Sequence, residues 1–418
     1  MPDRTKAPES SVIDLPNLPA LQTVHLPCGL DLHLLNQGQQ PVVLFEMVVP
    51  LGRWEEPSAG LAYYLFKMLT EGTPTKSSEE IASFFDFYGS HLEITPTLDA
   101  VNIKLYALNK FFPELVKFLT DLLTESSFPK REFETLKQIR IEQIRQQYSR
   151  NNAFASLKFR ELLFGAEHPY GLMISEEQAR KTQRDDLLNH KNLLCTQPLL
   201  FITGMVGEDE IKAVESAFEG FPQTPTPSKR TAFTNTGKSQ TITREDSTQA
   251  SLRIGKTTIN RHHEDIHKLK VANELLGGFF GSRLMKNIRE EKGLTYGIHS
   301  SFLHLHHASY WCIGSELLRD KVTLGQEEIQ KEITKLQQSP PEQEEFSMVI
   351  NYMKGKFLSS FDSPFSAHGL IKSLKLAQLP ESYFMDFFDT LQNIKPEDIS
   401  LMASRHFNQD DITTLVVV

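Results

Sequence analysis

At 418 residues, with 39% apolar and 23% charged side chains, the chain is long enough to bury two hydrophobic cores. Its formal net charge of −9, without clustered Lys or Arg, argues against nucleic acid or an anionic membrane as partner, because both reward basic patches. The three cysteines, Cys28, Cys195 and Cys312, are too few and too far apart for a disulfide framework or a thiolate zinc site. They read as reduced core thiols.

The opening stretch from Met1 to Lys6 is polar, which reads as no secretory signal and sets the cytoplasm as the expected compartment, with the periplasm as the alternative. No uncharged apolar stretch reaches the ~20 residues that cross a bilayer, so no membrane span is expected.

Along the chain, residues 100–106 alternate apolar and polar side chains, as a strand with one covered face requires. Residues 113–123 place apolar side chains at helical spacing, stop at Ser126-Ser127-Phe128-Pro129, and give way to a second amphipathic helix from about Glu132 to Gln147. Leu199-Leu200-Phe201-Ile202 and Leu415-Val416-Val417-Val418 are short apolar runs of the buried-strand type. Between them, Pro222-Gln223-Thr224-Pro225-Thr226-Pro227-Ser228 opens a polar linker over 222–240. In the second half, a helix through Glu328 to Leu336 stops at Ser339-Pro340-Pro341 and is followed by another to about Leu358, with Phe346 matching Phe133. That offset of roughly 210 residues far exceeds the 20 to 50 of solenoid repeats, so the halves read as a duplicated domain. The fold class is α+β: two homologous domains, each a mainly antiparallel sheet with helices packed on one face. The expected divisions are an N-terminal extension over 1–20, a first domain over 21–221, the linker, and a second domain over 241–418.

Three stretches carry a resemblance: Leu51-Gly52-Arg53-Trp54-Glu55-Glu56-Pro57, Gly60-Leu61-Ala62-Tyr63-Tyr64-Leu65-Phe66-Lys67-Met68, and Gly72-Thr73. Together they resemble the pitrilysin/insulysin family of zinc peptidases, the inverzincins, where the wording is G-S-x-x-E-x-P, G-L-A-H-x-x-E-H-M and G-T. In that family H-x-x-E-H sets two imidazoles on one helical face around zinc, and the Glu activates the bound water. The resemblance puts Tyr63 and Lys67 at the two His positions and Phe66 at the Glu. Tyr is protonated at neutral pH, Lys is a cation and Phe has no basic atom, so none can take over the original role. The family's third ligand, a Glu roughly 75 residues further on, falls on Gln143, with Glu142 one residue away. No zinc is expected in this chain.

The resemblance continues through Phe164-Gly165-Ala166-Glu167-His168-Pro169-Tyr170-Gly171, similar to G-x-x-H-P-Y-G, and through residues 247–255, similar to the first strand of the family's second domain. Residues 273–278, 281–284 and 288–296 are similar to L-G-G-G, S-R-L and I-R-E-x-x-G-L-x-Y. In family enzymes the Arg and Tyr of this last stretch hold the substrate backbone beside the zinc, and they carry over to Arg289 and Tyr296. The chemistry suits them: a guanidinium offers a fork of donors to carbonyl oxygens, and a phenol can stabilise developing negative charge. Gly277, Gly278 and Gly281, flexible by composition, form a candidate substrate loop by comparison with the glycine-rich loop in the alpha subunit of the mitochondrial processing peptidase.

Two histidine patterns compete with this assignment. His263-Glu264-Asp265-Ile266-His267 is a literal H-E-x-x-H, but it follows a polar turn, and the helix is expected to start only near Glu264 or Asp265. His304-Leu305-His306-His307 is expected at a hairpin tip and His168 in a fixed turn, none of them as a metal ligand. The resemblance implies a non-catalytic, substrate-binding subunit of a heterodimeric zinc metallopeptidase acting on unfolded peptides. Zinc would sit in a homologous partner subunit, and this chain would contribute its Arg/Tyr pair to a shared chamber. The alternative is an inactive structural or peptide-binding homodimer, comparable to the core proteins of the respiratory bc1 complex.

Overall fold

The computed structural model describes residues 21–227, 239–244, 249–408 and 411–418; the expected N-terminal extension, most of the linker, and Ser247 and Thr248 lie outside the described residues. The first sheet contains β1 (Gln22–His25), β2 (Asp31–Asn36), β3 (Val42–Val49), β4 (His91–Pro96), β5 (Val101–Leu108) and β6 (Leu199–Gly204), in the order β1-β2-β6-β3-β5-β4. Only β2 and β6 run parallel; the other neighbours are antiparallel. The second sheet contains β7 (Gln240–Ile242), β8 (Gln249–Thr257), β9 (Thr295–His304), β10 (Ser309–Leu318) and β11 (Thr413–Val417), in the order β7-β11-β8-β10-β9. Here β7 and β11 are the parallel pair. With β1 set aside, the two orders match strand for strand and place the parallel pair at the same end. The duplication read from helix spacing is therefore also a duplication of topology.

The elements follow from local pattern. Strand β5 alternates buried and half-buried residues along most of its length, while β6 and β11, each flanked on both sides, are almost wholly buried. The first helical pair spans Phe112–Glu125 and Lys130–Ser149, and its counterpart spans Val322–Gln338 and Gln343–Ser359. Phe133 is fully buried in the first core, and Phe346 packs against the second. The linker needs correcting at both ends: Thr224 N donates to Cys195 O at 2.9 Å, tying it to the first domain, and Gln240 already belongs to β7.

Each domain covers one face of its sheet with its own helices, and the opposite face receives a helix from the other domain. The Asn151–Phe164 helix lays Phe159 and Phe164 against Tyr310, Cys312, Leu415 and Val417 of the second sheet, all buried. Each such phenylalanine removed from water contributes about 1.5–3 kcal/mol. In return, the Pro364–Leu376 helix crosses the first sheet, where Glu46, fully buried on β3, accepts from His368 Nε2 at 2.5 Å and Lys372 Nζ at 2.8 Å. Burial pushes the Glu46 carboxyl up, but these hydrogen bonds outweigh it and hold the group below the usual carboxylate range. The β9–β10 hairpin tip adds a third tie: His306 N donates to Asp99 Oδ2 at 3.1 Å, and the His307 ring lies 4.6 Å from Trp54. No helix among the described residues is long and apolar enough to cross a membrane.

Candidate functional site

The helix bearing the motif positions, Leu61–Lys67, is anchored by the stretch before it. Gly60 starts the helix at φ 89°, a left-handed conformation that favours glycine. The Glu56 carboxylate accepts from Gly60 N at 2.8 Å, Ala62 N at 3.3 Å and Arg53 Nη1 at 3.1 Å, so it satisfies helix-start amides and pairs with Arg53 at once. Helix capping and the pair with Arg53 account for Glu56 without invoking a metal.

Tyr63 meets Gln143 and shares a cavity wall with Lys67, but the chemistry is not that of a zinc site. The Tyr63 hydroxyl donates to Gln143 Oε1 at 3.2 Å, bringing together residues 80 apart in sequence. Glu142 faces elsewhere, paired with Arg145 at 2.5 Å, so Gln143 is the residue opposite Tyr63. Lys67 Nζ donates to Ile94 O of β4 at 2.6 Å, and Phe66 points fully buried into the first core. The Arg140 guanidinium lies 4.4 Å from the Tyr63 ring centroid, a cation–π contact. Burial raises the Tyr63 phenol, with Arg140 opposing, so the hydroxyl stays protonated at neutral pH.

Tyr63, Lys67 and Arg140 line a cavity of about 410 Å3 whose wall also includes Arg53, Glu56 and Gln147. A zinc ion does not fit this donor set: a protonated phenol, an ammonium and an amide replace imidazoles and carboxylate. Among the described residues, no group of three or more His, Cys, Asp or Glu side chains could hold a metal. Reasoning from sequence missed Arg140 and the roles of Arg53 and Glu56. The available signal for Arg140 was its spacing, one helical turn before Gln143.

In the second domain the chain after the Ile266–Asn273 helix runs through two π-type segments, Glu274–Gly278 and Met285–Glu291, before entering β9. Arg283 is fixed by a bidentate pair with Glu345 at 2.9 and 2.8 Å. Arg289 is half-buried, its guanidinium 4.6 Å from the centroid of the Phe280 ring, which is itself 63% exposed. Tyr296, at the start of edge strand β9, is 90% exposed. Gly277 is buried because a Cβ there would meet Ser300 Cβ at 2.7 Å and Leu284 Cδ1 at 2.9 Å. Close packing against β9, more than flexibility, accounts for it. Gly278 and Gly281 would place a Cβ against the Glu274 side chain and the Phe279 ring.

The competing histidines are structural. The second-domain helix begins at Ile266, leaving His263 outside it with its Nδ1 accepting from Asp265 N at 3.1 Å. His267 packs on Tyr383 at 4.6 Å, and burial pushes its pKa down to about 4. His304 ends β9, hydrogen-bonded to Ser309 at 2.8 Å and pushed down to about 3 by burial and the nearby Arg261 and Lys270 cations. His168 Nδ1 accepts from Tyr170 N at 3.1 Å, fixing its turn.

Residues 33–162 match the family model of the insulinases, peptidase family M16, and residues 197–353 match the peptidase M16 inactive domain. An uncharacterized zinc protease YmxG of Bacillus subtilis is 24% identical over 377 residues, covering 87% of this chain and 90% of that protein. A non-peptidase homolog YmxG of Helicobacter pylori is 23% identical over 410 residues, covering 92% and 93%. Among solved structures, the peptidase M16 inactive domain from Pseudomonas fluorescens gives a TM-score of 0.85 at 21% identity over 95% of this chain and 98% of that one. A protease from Helicobacter pylori gives 0.85 at 16% identity over 96% and 100%. These two likenesses bear on the fold, and the residues at the motif positions decide the chemistry. The chain is a non-catalytic member of peptidase family M16.

Proposed function

We propose that this chain is the substrate-holding subunit of a heterodimeric zinc metallopeptidase acting on unfolded peptides, with zinc carried by a homologous partner subunit. The observation that carries this reading is Tyr296: a phenol 90% exposed at the mouth of an edge strand, seven residues after a half-buried Arg289. An edge strand presents unpaired backbone groups to an extended peptide, and a guanidinium and a phenol add donors for its carbonyl oxygens. Gly277, Gly278 and Gly281 flank Phe280, whose ring lies beside Arg289. We place the complex in the cytoplasm, a reading supported by three unpaired cysteines.

The test is to co-express the chain with an H-x-x-E-H partner and assay cleavage of an unstructured peptide. Arg289→Ala and Tyr296→Phe should each lower kcat more than they raise KM, as expected for groups acting in the transition state. Unchanged kinetics in both variants would remove the substrate-holding role, and failure to form a complex would remove the subunit role.

A further inference from the structure

We propose that the pocket at the motif positions of the first domain receives a peptide carboxylate, from an acidic side chain or a C-terminus; this rests on the peptide-holding reading above. The pocket carries cations without counterions. Lys67 Nζ is engaged by the neutral carbonyl of Ile94, at 2.6 Å, which uses one of its three protons. Arg140 is held by the Tyr63 ring and, through Nη1, by Gln143 Oε1 at 3.4 Å, again a neutral group. Among the described residues neither forms an ion pair, whereas Arg53 in the same cavity is matched by Glu56 at 3.1 Å. Three cations and one carboxylate, Glu56, thus line the cavity of about 410 Å3, an excess of two positive charges in a chain whose net charge is −9. The cation beside Arg140 is Arg53, and an anion with oxygens for both Lys67 and Arg140 would offset the excess positive charge of the shared wall. The anions of an unmodified peptide are carboxylates, so the occupant's chemistry follows from the peptide reading.

The test is fluorescence anisotropy on the full chain, alone and paired with a catalytic subunit, using three labelled unstructured peptides. One carries Glu residues and an amidated C-terminus, one is neutral with a free C-terminus, and one is neutral and amidated. We expect at least one acidic peptide to bind about tenfold or more tightly than the neutral amidated one, the scale of one charge-assisted hydrogen bond. The tighter of the two names the source of the carboxylate. The preference should fall to within about twofold in Lys67→Met/Arg140→Gln and persist in Lys67→Arg, with both single variants run so that one folded protein suffices. Equal binding of all three peptides to the unsubstituted chain would overturn the pocket while leaving peptide holding intact. A preference surviving the double substitution would do the same. Absence of binding by any peptide in either form would overturn both.

Discussion

In the first domain the side chains at the motif positions are tied into their own protein, Tyr63 to Gln143, Lys67 to a strand carbonyl and Phe66 into the core. In the second domain Tyr296 stands 90% exposed, and Arg289 rests on a largely exposed phenylalanine. The difference lies in the surroundings of the two sets of side chains. Polar groups that no longer face a metal must find internal partners or water, and a helix already packed against the core offers the former. Groups that face outward from a sheet edge need no internal partner, because water serves them; Lys67, with one of its three protons on Ile94 O, lies between these extremes.

That contrast can be broken by substitution. Phe66→Glu, which restores the family's carboxylate type, should destabilise the chain most, by about 4 kcal/mol, because it removes a filled core volume and buries a charge with no partner. Denaturant titration would read it, and a loss under about 1 kcal/mol would mean that the position is not sealed. Gly277→Ala comes next at about 2 kcal/mol, the scale of overpacking where backbone and side chain of Ser300 both crowd the new carbon. A neutral effect would restore flexibility as the reason for this glycine. Tyr63→Phe deletes the bond to Gln143 at a site open to solvent and should cost about 1 kcal/mol or less. Tyr296→Ala should leave the unfolding free energy nearly unchanged, within about 0.5 kcal/mol by denaturant titration, as for a surface side chain. A larger loss would show that the phenol supports the fold and would weaken its assignment to substrate.

Much of this contrast was legible in the primary structure. Alternation over 100–106 and helical spacing over 113–123 gave the elements, because periodic burial is a local property of strands and helices. The register of the motif helix followed from its Gly and Glu frame, and Tyr63, Phe66 and Lys67 lie on that helix. The partner of Tyr63 was harder: Gln143 and Glu142 are adjacent, and rotation of about 100° per residue on a helix sends one to Tyr63 and the other to Arg145. Within the expected linker, Thr224 pairs with Cys195, 29 positions earlier, a contact with no local signature.

The sequence by itself determined the α+β duplication and the replacement of the zinc-ligand residue types at Tyr63, Phe66 and Lys67, since these depend on residue type and spacing along the chain. Tertiary structure alone decided that each domain lends a helix to the other, that Glu46 meets His368 and Lys372 across the domain boundary, and that Arg140 and Lys67 share one cavity. Those pairings join residues far apart along the chain, and long-range contacts are set by how packed layers meet, which no local pattern encodes.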